Sequence, residues 1–381
     1  MKIGFITPEY PHPSLSHSGG LGTSIKNLVE ALVKKNCSVS VFVYQQAKRD
    51  VFIKQGVTIH SIPKTSYPIA TWFFYRNHIA KYVNAITKKE DIAILEAPDW
   101  TGITAFMRFK VPLVIRFHGS DTYFCHLEQR KQKFKNRIFE TVATRGANAF
   151  IAPTTFAGEL SRKLFGLQKK NIKTIHYGLK LEDFINEKPE QFNKNTILYI
   201  GTVIRKKGVL QLAEIFNKVN LKHPEAKLII IGKDVADVKT GATSTYQLMD
   251  AIFSVEAKKN VSFLGKIPYA EVKQHIKMAH LCVFPSFAET LGMVTIESMA
   301  LQKPVVNTSI GWAQELIDSG VNGYLVHPED THGFAKKILT LLNDEKLCLQ
   351  IGKAAREKVE TCFDIHKLAN DNRAYYASLI K

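Results

Sequence analysis

Several protein classes are excluded by what this 381-residue sequence has little of. It holds five cysteines, Cys37, Cys125, Cys282, Cys348 and Cys362, scattered and without a CxxC pair. An odd, dispersed set fits reduced thiols rather than a disulfide framework or a zinc site. No stretch approaches the about 18 consecutive apolar residues of a membrane-spanning helix. The opening MKIGFITPEYP is an apolar run stopped at Pro8, shorter than a secretory signal and lacking its cleavage site. These features together predict a cytoplasmic protein. No D-x-D that would hold a metal ion against a diphosphate occurs, so no metal is expected. No RNA-binding aromatic motif, zinc finger or tandem repeat occurs either, which argues against nucleic acid as a partner.

Acidic residues are also scarce. Lys and Arg number 52 against 34 Asp and Glu, a net charge of +18. Residues 1–185 hold 27 basic against 13 acidic residues, and the remainder 25 against 21. The first half is thus strongly basic. A basic face suits an anionic partner such as a phospholipid surface or an anionic glycan or lipid acceptor, and it also serves solubility.

A hydrophobic content of 45% and this length predict two domains with sizeable cores. Short apolar runs alternate with helix-spaced patterns, the signature of βαβ units and parallel sheets. KIGFITP (2–8), SVSVFVY (38–44), IAILEAPDW (92–100), PLVIRFHGSD (112–121) and AFIAPT (149–154) read as strands running into loops. Between the first two, Ile25, Leu28, Val29, Leu32 and Val33 recur at helical spacing, with Thr23 or Ser24 as candidate caps. Residues 122–146 read as one helix carrying Arg130, Lys131, Lys133, Lys135 and Arg137. A second series follows with strands TILYIGT (196–202), KLIIIGK (227–233) and LCVFPS (281–286) and helices over 207–222, 270–279, 292–302 and 332–342. The polar segment 180–195 is predicted to link the domains, and 363–381 to form a final helix. The expected fold is α/β, two doubly wound parallel-sheet domains facing across a cleft, with ligands beyond the carboxyl ends of the strands.

PSFAETLGMVTIESMALQKPVV (285–306) carries the chemistry most directly. Glu289 falls in a loop after a strand, Gly292 opens a helix, and Glu297 lies inside that helix. The backbone N–H groups of Gly292, Met293 and Val294 suit a phosphate. Carboxylates beside a phosphate would repel it, so their natural partners are hydroxyls, and each can accept two hydrogen bonds from a diol. Two diols flanking a diphosphate describe a nucleotide sugar. The spacing alone also allows Glu289 as a helix cap and Glu297 as a surface residue.

This segment resembles the E-x7-E signature of the retaining family 4 glycosyltransferases, which have the two-domain GT-B fold. The likeness spans nearly the whole chain, with the motifs in family order. It implies that Glu297 binds the nucleotide ribose and that Glu289 lies near the donor sugar. His118, in RFHGSD, would contact the donor hexose, with Asp121 and Asp99 near the acceptor. Lys207, in GTVIRKKGV (201–209), would neutralise the leaving diphosphate. The family has an arginine where Thr202 stands, and Arg205 is the nearest substitute. Gly19, Gly20 and Gly22, in HSGGLG, would approach the donor phosphates and the acceptor; the loop does not match the dinucleotide fingerprint. GKIP (265–268), with Ile267, would contact the nucleobase by backbone groups, and Glu315 in GWAQEL matches a later family glutamate, Trp312 replacing a glycine.

The domain boundaries that follow are 1–180, joined by about 363–381, for the acceptor, and 190–362 for the donor. The resemblance implies a metal-independent retaining hexosyltransferase with no cofactor beyond its nucleotide-diphosphate-sugar co-substrate. Its acceptor would be a glycan or a lipid-linked glycan of envelope polysaccharide synthesis. The basic helix would face an anionic membrane from the cytoplasmic side. A nucleotide-sugar epimerase of the same fold and a non-catalytic nucleotide-binding scaffold remain as alternatives.

Overall fold

The computed structural model describes residues 1–380. Lys381, the end of the expected final helix, lies outside the described residues. The chain divides into two units, Met1–Lys180 with Asp364–Lys381, and Leu181–Phe363.

Among the described residues the first unit has eight strands: β1 (Lys2–Thr7), β2 (Ser38–Gln46), β3 (Asp50–Lys54), β4 (Val57–Pro63), β5 (Ile94–Pro98), β6 (Leu113–Arg116), β7 (Ala149–Ala152) and β8 (Ile172–Thr174). They form one sheet in the order β3-β4-β2-β1-β5-β6-β7-β8, parallel except for β3, which pairs antiparallel with β4. Strand alternation sends Ile3 and Phe5 into the core on one face and Ile6 into the core on the other. On the first face lie Ile25, Leu28, Val29 and Leu32 of the helix Gly20–Lys34, at the spacing the sequence predicts. The same core takes Ile365, Leu368 and Tyr376 of the last helix, Ile365–Leu379, which therefore belongs to this unit.

The second unit holds β9 (Thr196–Ile200), β10 (Lys227–Ile231), β11 (Val261–Gly265), β12 (Leu281–Phe284), β13 (Val305–Thr308) and β14 (Tyr324–Val326). Its sheet is parallel in the order β11-β10-β9-β12-β13-β14. In each sheet the strand order reverses direction once, at β1|β5 and at β9|β12. Such switch points open a crevice at the carboxyl ends of the strands.

Three local expectations are corrected. Residues 122–146 form two helices, Asp121–Leu127 and Phe134–Arg145, because the chain turns through Gln129 at φ 51°. The Gly20–Lys34 helix starts ahead of Thr23 and Ser24, and Glu9 Oε1 accepts from Gly22 N at 2.7 Å in place of a local cap. The segment 180–195 is no free linker. Asn186 Nδ2 donates to Leu301 O at 3.0 Å, and Lys303, 1% exposed, lies 4.9 Å from the centre of the Phe192 ring. Its polar composition hid these anchors, because they use main-chain groups and one aromatic ring.

Candidate active site

Strand order brings the expected residues to the two switch points. In the second unit the loop after β9 carries Lys207 and the loop after β12 carries Glu289, and these strands are neighbours. Phe287 N donates to Lys206 O at 2.8 Å, tying the two loops together. Gly208, at φ 69°, lets them approach: a Cβ there would stand 1.9 Å from Pro285 O. The result is an ion pair between Lys207 Nζ and Glu289 Oε1, each side chain 19% exposed. Burial and the adjacent Lys206 both press the Lys207 pKa down, and the Glu289 carboxylate opposes them.

Gly292 caps the helix Met293–Ala300, so the first-turn N–H groups of Met293 and Val294 point out of the helix start. Glu297 stands one turn further on. Its Oε1 accepts from Tyr269 Oη at 2.6 Å, and burial pushes its carboxyl up to about 7 against the pull of Tyr269 and Lys273. Ile267 is half-buried in the short connection between β11 and the helix Tyr269–Met278. Arg205 is bidentate on Asp237, with Nε to Oδ1 at 2.9 Å and Nη2 to Oδ2 at 2.8 Å. That pair holds the Asp237 carboxyl far below the usual carboxylate range. Arg205 thus fastens the loop after β10 and does not sit where Thr202 leaves the arginine vacancy; Thr202 itself is exposed. Glu315 ends a short 3-10 turn at Gly311–Glu315, beside the buried Trp312.

In the first unit, the loops after β1 and β5 flank the other switch point. Gly19 and Gly20 open the first helix there, with the Glu9 carboxylate already bonded to its N-terminus. His118 follows β6. Its Nδ1 lies 2.7 Å from Tyr177 Oη, and that hydroxyl donates to Phe117 O at 3.2 Å. This pattern puts the imidazole proton on Nδ1 and leaves Nε2 as an acceptor. Burial and Arg116 hold the His118 pKa well below its ordinary value, so the ring is neutral at pH 7.

Asp99 and Asp121, expected near the acceptor, are turned to structural partners. Asp99 is 1% exposed; its Oδ1 accepts from His118 N at 2.8 Å, and the backbone N–H groups of Gly119 and Ser120 also bond to its carboxylate. Burial raises its pKa to about 7. Asp99 is therefore the residue that positions the His118 loop. Asp121 accepts from Arg130 Nη2 at 2.8 Å and Asn136 Nδ2 at 3.1 Å. Beneath His118, Glu96 and Arg116 form a buried bidentate pair at 2.8 and 2.9 Å, joined by Asn372 and Tyr376 of the last helix. The space bounded by Glu96, Arg116, His118 and Asn372 is ≈ 10 Å³, too small for a sugar.

Sequence reading missed Glu9, Tyr177 and Tyr269. Glu9 had a signal, a carboxylate between the first strand and a glycine-rich helix start. Tyr269 adjoins GKIP, but its hydroxyl meets Glu297 only through the fold.

Residues 182–358 match the family model Glycosyl transferases group 1, and residues 18–183 match Glycosyltransferase Family 4. With the two parallel-sheet units, these matches define the class: the chain belongs to the glycosyltransferases of the GT-B fold. Among its relatives is an uncharacterised glycosyltransferase of Methanocaldococcus jannaschii, 26% identical over 90% of each chain. Sucrose-phosphate synthase from Thermosynechococcus elongatus superposes with a TM-score of 0.82 at 20% identity, over 99% of this chain and 98% of that one. Anabaena HepE in complex with UDP superposes with a TM-score of 0.73 at 18% identity, over the whole of both chains.

Proposed function

We propose that the chain is a retaining hexosyltransferase that moves a sugar from a nucleotide diphosphate to an acceptor hydroxyl in envelope polysaccharide synthesis. The observation that carries this reading is the Lys207–Glu289 pair at the β9|β12 switch point, beside the Met293–Ala300 helix start. An ammonium and free backbone N–H groups at one place suit a diphosphate. As the leaving diphosphate gains charge, Lys207 and the N–H groups of Gly292, Met293 and Val294 stabilise it. Glu297 accepts the ribose hydroxyls, with Tyr269 fixing its orientation. Backbone groups around Ile267 take the base. His118 Nε2 accepts from a hexose hydroxyl, held by Tyr177 and Asp99. Gly19 and Gly20 admit acceptor and donor phosphates close to the backbone, and Arg205 holds the neighbouring loop through Asp237.

The placement of the carboxylates supports retention without a double displacement. Glu289 and Glu297 belong to one segment following one strand, so they do not flank the scissile bond as an acid and a nucleophile. Reaction on the donor's front face, with the leaving phosphate taking the acceptor proton, fits this arrangement. No metal is required in this scheme because Lys207 and the helix end provide the positive charge. The complex of HepE with UDP makes UDP the first nucleotide to try.

The test is thermal stability against UDP, GDP, ADP and CMP, each with EDTA or magnesium. A ligand at 100 times its dissociation constant adds about 2.7 kcal/mol. A shift with one nucleotide, unchanged by EDTA, is expected. No shift with any nucleotide would refute the donor site, and a shift that requires magnesium would refute metal independence.

A further inference from the structure

We propose that the first unit docks on the surface of an anionic phospholipid bilayer through an exposed aromatic patch at the carboxyl edge of its sheet. The proposal rests on the transferase reading for its purpose, delivery of a lipid-linked acceptor, and on separate observations for its place. Trp72 and Phe73 are each 39% exposed, Phe106 47% and Phe134 77%. Three of these rings meet: Trp72 lies 5.7 Å from Phe106, and Phe73 lies 6.2 Å from Phe106, between ring centres. They come from the start of the helix Thr71–Glu90, from the loop after β5 and from the start of the helix Phe134–Arg145. A soluble surface gains nothing by gathering large aromatics in this way.

The patch is built and held. Arg76 is buried beneath it, donates to Trp72 O at 2.9 Å and to Gly102 O at 3.4 Å, and lies 4.4 Å from the centre of the Phe139 ring. One guanidinium thus fastens all three segments. Gly102 lets the loop touch the helix, since a Cβ there would stand 2.3 Å from Phe139 C. Ala70, Thr101 and Phe106 take φ values of 46°, 57° and 65°. Left-handed backbone is disfavoured for alanine and more so for a β-branched or bulky residue, and such strain gathers where function requires it. Here it turns Phe106 outward. An open groove of ≈ 740 Å³, lined by Phe73, Phe106, Met107 and Phe109 and also by Arg108 and Asn148, adjoins the patch.

Charge selects the partner. Arg108, Lys110, Lys131, Lys133, Lys135 and Arg137 are exposed around the aromatics, and none of them is in an ion pair among the described residues. Of the acidic side chains nearby, Asp121 and Glu128 are paired with Arg130, and Glu140 is buried and accepts from Thr122. Aromatic rings at a cationic rim match the headgroup region of a bilayer that carries negative lipid. Because β4, β5 and β6 are parallel, the patch and the His118 loop leave the same edge of the sheet. A bilayer on this face brings a lipid-anchored acceptor to that edge.

The experiment is flotation of the full chain with phosphatidylcholine vesicles, alone or mixed with phosphatidylglycerol. Binding is expected only to the mixed vesicles. It should shift tryptophan emission to the blue, since Trp72 and Trp100 are exposed and Trp312 is already buried. Phe134→Ser combined with Phe106→Asn should lower the vesicle partition by about tenfold or more. Replacing Lys131, Lys133, Lys135 and Arg137 by Gln should weaken binding by about fivefold per charge. Equal binding to both vesicles, or none to either, overturns the proposal. So does an aromatic variant that keeps vesicle binding but loses affinity for a soluble glycan acceptor, which would make the face a sugar platform. The nucleotide-induced shift is read on the same variants; its loss in the wild-type chain would count against the transferase reading, not against docking.

Discussion

Glu297 gives the sharpest test of the donor site, because its charge state is set by its surroundings. Burial raises its carboxyl from the ordinary 4.5 to about 7. Ribose hydroxyls donate to the carboxylate, so binding favours the ionised form and nucleotide binding must tighten as pH rises through 7. A group at 7 is about nine-tenths ionised at pH 8 and only a few per cent ionised at pH 5.5. Glu297→Gln keeps the shape and removes the charge. Hydrogen bonds to a charged acceptor exceed neutral ones by about 1 kcal/mol each, and one oxygen is already shared with Tyr269, so the expected loss at pH 8 is about tenfold in Kd. At pH 5.5 the two proteins should converge. Titration calorimetry in buffers of different ionisation enthalpy should also show proton release on binding near pH 7, absent in Glu297→Gln. The free protein obeys the opposite sign: a raised carboxyl stabilises the fold below its ordinary pKa, and that stability is lost as pH rises from 4.5 to about 7. A flat wild-type binding profile, or a Glu297→Gln profile parallel to it, would refute the ribose role.

Glu289→Gln should cut turnover by about a hundredfold with nucleotide Kd changed by less than about threefold, read by steady-state kinetics beside calorimetry. Arg116→Met should cost about 3–5 kcal/mol in a denaturant melt by stranding the buried Glu96 carboxylate, and adding Glu96→Met should restore most of that. Gly208→Ala should lower stability by about 1–3 kcal/mol through its backbone conformation. The clash with Pro285 O should also shift the Lys207 loop and weaken nucleotide binding more than the melting temperature alone explains.

The sequence alone determined the element types and the fold class. Parallel strands buried on both faces read as apolar runs, and the helices packed on them carry apolar side chains at 3.6-residue spacing; both signals are local. KIGFITP and LCVFPS are strands close to their predicted bounds for that reason. The E-x7-E segment was legible too, because its loop, glycine and helix start are contiguous. Where the deciding partner lies far along the chain, only the tertiary structure could speak. The pairing of Lys207 with Glu289 depends on β9 lying beside β12, and the orientation of Glu297 on a tyrosine 28 residues away. Asp99 looked like a surface ligand and is a buried anchor for the His118 loop, since its donors come from the neighbouring strand's loop. Nothing local in the sequence set the exposed aromatics apart from core residues. Arg76 and three left-handed residues, acting across three segments, turn them to the surface instead.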